Sequence, residues 1–235
     1  MSNRTAIVIP ARLGSTRYPN KMLLQVEPST NTFAGRTLIE RVFHKVSMVI
    51  EPSDIYVATD SKEIADLFPN NAIMTSIDCE NGTERVAEAA LELPEYDNFI
   101  NVQGDLIDVP AFALHRMREM LEDGVPLVTV CADMNEQDQA DPNTVKCIQT
   151  GYQAHWFCRA ALPYGLWHIG MYGYSRKNLL DYPILYSFDE EKKESLEQLR
   201  WLQNGYRMSI TKTTEPVNEI NTPEDLIKWQ ATLRS

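Results

Sequence analysis

The 235 residues include 33 Asp and Glu against 22 Lys and Arg, a formal charge of −11, with 43% hydrophobic and 23% charged side chains. That composition excludes a disordered, collagenous or coiled-coil chain, and the length suffices to bury a core without disulfide or metal staples. The acidic balance and the lack of any basic run exclude a nucleic-acid or anionic-membrane partner, and leave open a small anionic ligand in a local cationic site.

The first apolar run, Ala6 to Ala11, is too short for a secretion leader or a membrane span, which predicts a cytoplasmic protein. Cys79, Cys131, Cys147 and Cys158 have no paired spacing, so four free, mostly buried thiols are expected, with Cys158 beside Arg159 as the one candidate for a low pKa. Short apolar runs at Ala6 to Ala11, Asp54 to Thr59, Ala72 to Thr75, Phe99 to Gln103 and Leu127 to Ala132 are bounded by Pro, Gly, Asn or Asp. Their continuous hydrophobicity predicts buried, mainly parallel strands. Between them Leu38, Val42, Val46 and Val49 share a helical stripe, as do Val86, Ala89 and Ala90, and Phe112, Met117, Met120 and Leu121 suggest another helix. Thr37 before Glu40, and Thr83 before Glu84, mark helix starts.

After about residue 140 the strands become aromatic, at Val145 to Gln149, His155 to Arg159 and Trp167 to Tyr174, followed by a helix near Glu191 to Gln203. A strand at Arg207 to Lys212 precedes a helix with Thr222 as N-cap and Pro223 at its first position. Residues 1–235 therefore read as one α/β domain with a mainly parallel central sheet. Its first half spans about 1–135, and a smaller mixed sub-lobe spans about 140–210. Ligands of such sheets sit at the carboxyl ends of the strands.

Three segments carry candidate chemistry. Behind the first strand, Ala11 and other small residues allow close backbone approach, and Arg12, Arg17 and Lys21 place three cations within ten residues of an acidic chain. This suits a triphosphate, or is only a solvated basic turn. Asp105, at the end of the apolar run Asn101-Val102-Gln103-Gly104, suits Mg²⁺ on phosphate oxygens, or is a turn residue. Thr75 and Ser76 with Asn81 to Arg85, including Gly82, line a nucleotide pocket or cap a helix. In the second lobe Arg159, His168, Tyr172, Glu197, Gln198 and Arg200 have the chemistry for an acidic sugar, or form a structural histidine and a surface helix.

These segments occur in a familiar order: Ile9-Pro10-Ala11-Arg12, Ser15-Thr16-Arg17, Lys21, Val57 to Asp60, Met74 to Ser76, Gly82 to Arg85, Asn101 to Asp105, His168 to Tyr172, Leu196 to Arg200 and Thr222 to Leu226. Together they resemble the motifs of 3-deoxy-manno-octulosonate (Kdo) cytidylyltransferase, the CMP-Kdo synthetase family. The resemblance implies a Rossmann-like nucleotide-diphospho-sugar transferase fold, usually a homodimer, that makes CMP-Kdo from CTP for lipopolysaccharide synthesis with Mg²⁺. Carried over, Arg12 and Lys21 bind the triphosphate beside Ser15, Thr75, Ser76 and Gln103 line the nucleotide and sugar pocket, and Asp105 holds Mg²⁺. Arg159, His168, Tyr172, Glu197 and Gln198 hold the sugar acid, with Gln103 shared.

The chain departs from the family pattern at four places. Asn221 stands where a second metal carboxylate is usual, and Leu106-Ile107 replace Glu-Pro, with Asp108 or Glu219 as possible substitutes. The loop before His168 shrinks to Tyr164-Gly165-Leu166-Trp167, and Glu27 to Phe33 form an insertion. A different acidic or neutral sugar, or a catalytically silent nucleotide-binding homologue, stand as alternatives to a Kdo enzyme.

Overall fold

A computed structural model describes residues 3–14, 18–26 and 36–233. The expected insertion, and Ser15 and Arg17 of the basic loop, lie outside these. The described residues form two compact units. One comprises 6–14, 18–26, 36–92, 101–111 and 216–233; the other comprises 3–5, 93–100 and 112–215. Residues 112–135, grouped with the first half in the sequence reading, thus sit in the second unit.

In the first unit β1 (Thr5–Ala11), β2 (Ile55–Thr59) and β3 (Ala72–Met74) run parallel, with Ile9 opposite Val57 and Val57 opposite Ala72. Every residue of β1 is buried, as its unbroken apolar run requires of a strand covered on both faces. Helices α1 (Leu38–Ser47), α2 (Lys62–Ala65) and α3 (Gly82–Leu91) pack on β2. Thr37 and Glu40 form the expected capping box of α1, and Val49 falls beyond its end. The start of α3 needs correction: Asn81, not Thr83, is the N-cap, accepting from the Glu84 N–H at 2.9 Å, while Thr83 is buried inside the helix.

Strand β4 (Asn98–Val102) leads into β5 (Leu106–Asp108), which the sequence reading missed because its three residues are too few to show a period. β5 pairs antiparallel with β11 (Asn218–Glu219), just ahead of α9 (Pro223–Thr232) and its Thr222 capping box.

The second unit holds α4 (Ala111–Glu122, from Phe112 on), β6 (Leu127–Ala132), α5 (Glu136–Ala140), β7 (Lys146–Thr150), β8 (Gln153–Cys158), β9 (Leu166–Ser175), α6 (Arg176–Asp181), α7 (Asp189–Glu194), α8 (Gln198–Gln203) and β10 (Met208–Lys212). Its strands pair in the order β9-β6-β10-β8-β7, and β7 also meets the start of β9. Only β6 and β10 are parallel, so β6 belongs to a mixed sheet rather than to the parallel set. The single helix expected over Glu191 to Gln203 is two, because Ser195 takes the left-handed conformation at φ 54° and stops α7. No helix of the described residues is long and apolar enough to cross a membrane.

Candidate active site

In the first unit a cavity of about 230 Å³ opens beyond the end of β1 and is lined by Pro10, Ala11, Arg12, Lys21, Met22, Cys79, Asn81, Gly82, Arg85, Gln103 and Asp105. Seven of the expected residues, Ala11, Arg12, Lys21, Gly82, Arg85, Gln103 and Asp105, converge there from four separate chain segments. Thr75 and Ser76 sit in the adjoining loop and do not line it. Asn81, from the segment expected to line a pocket or cap a helix, does both, while Cys79, Pro10 and Met22 were not anticipated as lining residues.

Two glycines make the convergence possible. A Cβ on Gly104 would stand 2.9 Å from the Pro10 carbonyl, so only glycine lets the turn after β4 pass the end of β1. A Cβ on Gly82 would stand 2.8 Å from Gln103 Nε2, so the first turn of α3 leaves room for that amide.

The electrostatics centre on a carboxylate and a buried ammonium. Lys21 is 6% exposed, and its Nζ donates to Asp105 Oδ2 at 2.6 Å and to the Ile220 carbonyl at 3.1 Å. Ile220 in turn donates its N–H to the Asp105 carbonyl at 2.9 Å, which puts the chain entering Asn221 beside that carboxylate. Arg12 is exposed and makes no hydrogen bond or ion pair among the described residues, a cation open to an anionic ligand. Arg85 is instead committed to the scaffold: it is buried, with Nη2 on Asp60 Oδ2 at 3.0 Å and Nη1 on Thr75 Oγ1 at 2.5 Å.

Asp108 is engaged in the scaffold. Its carboxylate accepts from Arg41 Nη2 at 3.3 Å, Trp229 Nε1 at 2.7 Å and Asn218 Nδ2 at 3.0 Å, and Arg41 lies over the Trp229 ring. This network ties α1, β5, β11 and α9 together. The Glu219 carboxylate accepts from Asn221 Nδ2 at 3.3 Å.

Among the described residues no group of three or more His, Cys, Asp or Glu could hold a metal by itself. That suits Mg²⁺, which takes one or two carboxylates and completes its shell with water and substrate phosphate. Asp105 has that capacity, since Lys21 occupies Oδ2 and leaves Oδ1 without a hydrogen bond among the described residues.

The second unit brings together three members of the expected sugar set. His168, Tyr172 and Gln198 are 5%, 4% and 1% exposed. Thr129 Oγ1 donates its single proton to the Met171 carbonyl at 2.6 Å, so it must accept from His168 Nε2 at 2.9 Å. That leaves His168 Nδ1 to accept from Gln198 Nε2 at 3.4 Å, while Gln198 Oε1 accepts from the Tyr172 hydroxyl at 3.1 Å. The four groups thus fix one another and one neutral histidine tautomer. Phe157 packs edge-on against that ring, 4.8 Å between centroids.

Arg159 is anchored by its Nε to the Glu194 carbonyl at 2.9 Å and by Nη1 to the Pro142 carbonyl at 3.3 Å. Glu197 accepts through its carbonyl from the Tyr182 hydroxyl at 3.1 Å, at the entry to α8. Cys158 is not a low-pKa thiol: burial, and secondarily Glu194, push it up.

Burial first, then the charge of Arg159, drives His168 down to about 3 from the ordinary value of 6.5. Between these values the unfolded chain binds a proton that the folded chain refuses, so stability falls as pH drops through that window. The denaturation midpoint is expected to decline from neutral pH toward pH 4 in the native protein and to decline less in His168→Gln. Parallel curves for the two proteins would contradict the assignment.

A parallel α/β unit with a phosphate-suited cavity behind its first strand defines a Rossmann-like nucleotidyltransferase. The chain belongs to the cytidylyltransferase family, whose model matches residues 6–212. It is 36% identical to the 3-deoxy-manno-octulosonate cytidylyltransferase of Myxococcus xanthus (strain DK1622), over 100% of this chain and 98% of that protein. It is 32% identical to the protein of the same name from Zea mays, over 99% of this chain and 82% of the other. The solved structure of CMP:2-keto-3-deoxy-manno-octonic acid synthetase complexed with CTP superposes with a TM-score of 0.85 at 32% identity, covering 98% of each chain.

Proposed function

We propose that this enzyme transfers CMP from CTP to the anomeric hydroxyl of Kdo, or of a closely related acidic sugar, releasing pyrophosphate. The observation that carries the reading is the Lys21–Asp105 pair at 2.6 Å in a cavity that also presents the unengaged Arg12. Full-length likeness to proteins named for this activity supports it.

In the reaction the sugar oxygen bonds to the α-phosphorus, the bond from that phosphorus to the bridging oxygen breaks, and the hydroxyl proton leaves to solvent. Both reactants are anions, so the barrier is one of positioning and charge neutralisation. Arg12 and Lys21 bind the triphosphate, with Ser15, Thr75 and Ser76 as neighbouring contributors. Gly82 and Ala11 let the backbone approach, Arg85 holds the pocket wall, and Gln103 offers its amide to nucleotide and sugar.

Asp105 would hold Mg²⁺, with Asn221 as a weak neutral second ligand; when bound, the ion supplies further positive charge to the phosphates. The sugar acid is held by Arg159, His168, Tyr172, Glu197 and Gln198. Because the histidine is neutral and its neighbours are mutually bonded, Arg159 is the cation of that set for a carboxylate. Four free cysteines suit work in the cytoplasm, and exposed Tyr152, Tyr164, Ile184 and Tyr186 suit a homodimer. The product is an activated sugar for lipopolysaccharide synthesis.

Pyrophosphate release with CTP and Mg²⁺ tests the reading, run with Kdo, with N-acetylneuraminate and without sugar, and with the product mass determined. The expected result is Kdo-dependent release and the mass of CMP-Kdo. Release with N-acetylneuraminate alone would replace the sugar. No release from a chain that binds CTP would favour the silent homologue, for which Asn221 is the structural motive. A carboxylate is the stronger Mg²⁺ ligand, so Asn221→Asp is expected to lower the Mg²⁺ concentration for half-maximal rate severalfold. An unchanged Mg²⁺ dependence would remove Asn221 from the metal site.

A further inference from the structure

The loop 75–81, between β3 and α3, contributes Cys79 and Asn81 to the cavity wall. Thr75 is tied to β2 through its N–H to the Thr59 carbonyl at 2.8 Å, and beyond that point side chains of α3 grip the loop. Glu84 Oε2 accepts the Glu80 N–H at 2.8 Å, and Arg85 holds the Thr75 hydroxyl. Glu88, one turn further along α3, uses both its oxygens. Oε1 accepts the Ser76 N–H at 2.8 Å, and Oε2 accepts from the Cys79 thiol at 3.1 Å. Glu88 does not itself line the cavity.

We propose that Glu88 is a positioning residue for the nucleotide: by accepting from Ser76 and from Cys79 it sets the loop wall against which CTP is held. This rests on the nucleotide reading of the cavity. The thiol is suited to donate because it stays protonated. Burial first, then the hydrogen bond to Glu88 and the charges of Glu88 and Glu84, outweigh Arg85 and push it up to about 12. Cys79 is also the one cysteine that is only half-buried, since Cys131, Cys147 and Cys158 are buried, so its reactivity reports the contact.

The experiment compares wild type, Glu88→Gln, Cys79→Ser and Cys79→Ala by calorimetric CTP binding, by KM and kcat, and by the rate of iodoacetamide labelling at mildly alkaline pH with the site found by peptide mass. Glu88→Gln keeps the shape but loses the charge and one acceptor. It is expected to raise Kd and KM for CTP about tenfold while kcat changes by less than about twofold. Cys79→Ser keeps a donor and should lose less CTP affinity than Cys79→Ala, which should follow Glu88→Gln in direction.

Without Glu88 the raised thiol pKa falls, and labelling of Cys79 is expected to quicken about tenfold for each unit of that fall, while CTP slows it in the wild type. Unchanged CTP affinity in Glu88→Gln, or labelling insensitive to that substitution, would overturn the inference. Equal losses in Cys79→Ser and Cys79→Ala would do the same. A wild type that binds no CTP would overturn the nucleotide reading itself, and the inference with it.

Discussion

Asp105→Asn is expected to lower kcat with CTP, Mg²⁺ and Kdo by about three orders of magnitude while the protein stays folded. The replacement preserves shape and one acceptor oxygen, so the turn between β4 and β5 and the backbone bond from Ile220 survive. What disappears is the negative charge that would hold Mg²⁺ and that Lys21 faces at 2.6 Å. The Lys21 ammonium then keeps only the neutral amide oxygen and the Ile220 carbonyl, at a stability cost of about 1–3 kcal/mol. The two consequences separate experimentally. Turnover at saturating CTP across a Mg²⁺ titration reads the first, and thermal unfolding without ligands reads the second. A variant within tenfold of wild-type kcat, still folded, would show that Asp105 is not the metal carboxylate.

Glu191→Ala should destabilise the second unit by about 3–5 kcal/mol, a fall in melting temperature on the order of 10 °C. Arg200 grips both Glu191 oxygens, with Nε at 2.9 and 3.0 Å and Nη2 at 2.7 Å, and lies over the Tyr182 ring. The paired side chains are 4% and 7% exposed, so removing the carboxylate strands a guanidinium away from water. Replacing both partners with apolar residues, Glu191→Leu with Arg200→Met, should restore most of the loss, because neither charge is then buried. A double variant as unstable as the single one would mean that packing, rather than the ion pair, dominates. The pair also bridges the break at Ser195 and so fixes α8, which carries Gln198 to Tyr172 and His168. A raised KM for the sugar acid is therefore expected in Glu191→Ala even where enough of it folds to assay.

Much of this was legible in the chain itself. The buried parallel strands announced themselves as unbroken apolar runs, and the caps of α1 and α9 as Thr37 with Glu40 and Thr222 with Pro223 and Asp225. The errors share a cause: they fall where a local preference has several outlets. Thr83 is a good cap by composition, but Asn81 starts the helix two residues earlier. The run from Glu191 to Gln203 is helical in composition, yet Ser195 turns left-handed inside it. Strand β5 is too short to show a period and forms only by pairing to a segment more than a hundred residues away.

The sequence by itself determined most of the order of elements and most of the residues that meet in the cavity, because strand periodicity and helix caps are properties of neighbours along the chain, and the reaction class followed from the family resemblance that the ordered motifs carry. Only the tertiary structure decided which charges are free to act. Arg12 is open, while Lys21 is paired to Asp105, Arg85 is spent on Asp60 and Thr75, and Asp108 on Arg41, Trp229 and Asn218. It also decided that His168 is neutral and that Glu88 reaches back to Ser76 and Cys79. Charge state and hydrogen-bond partnership depend on burial and on groups that the fold alone brings within about 3 Å, and no local pattern in the chain encodes them.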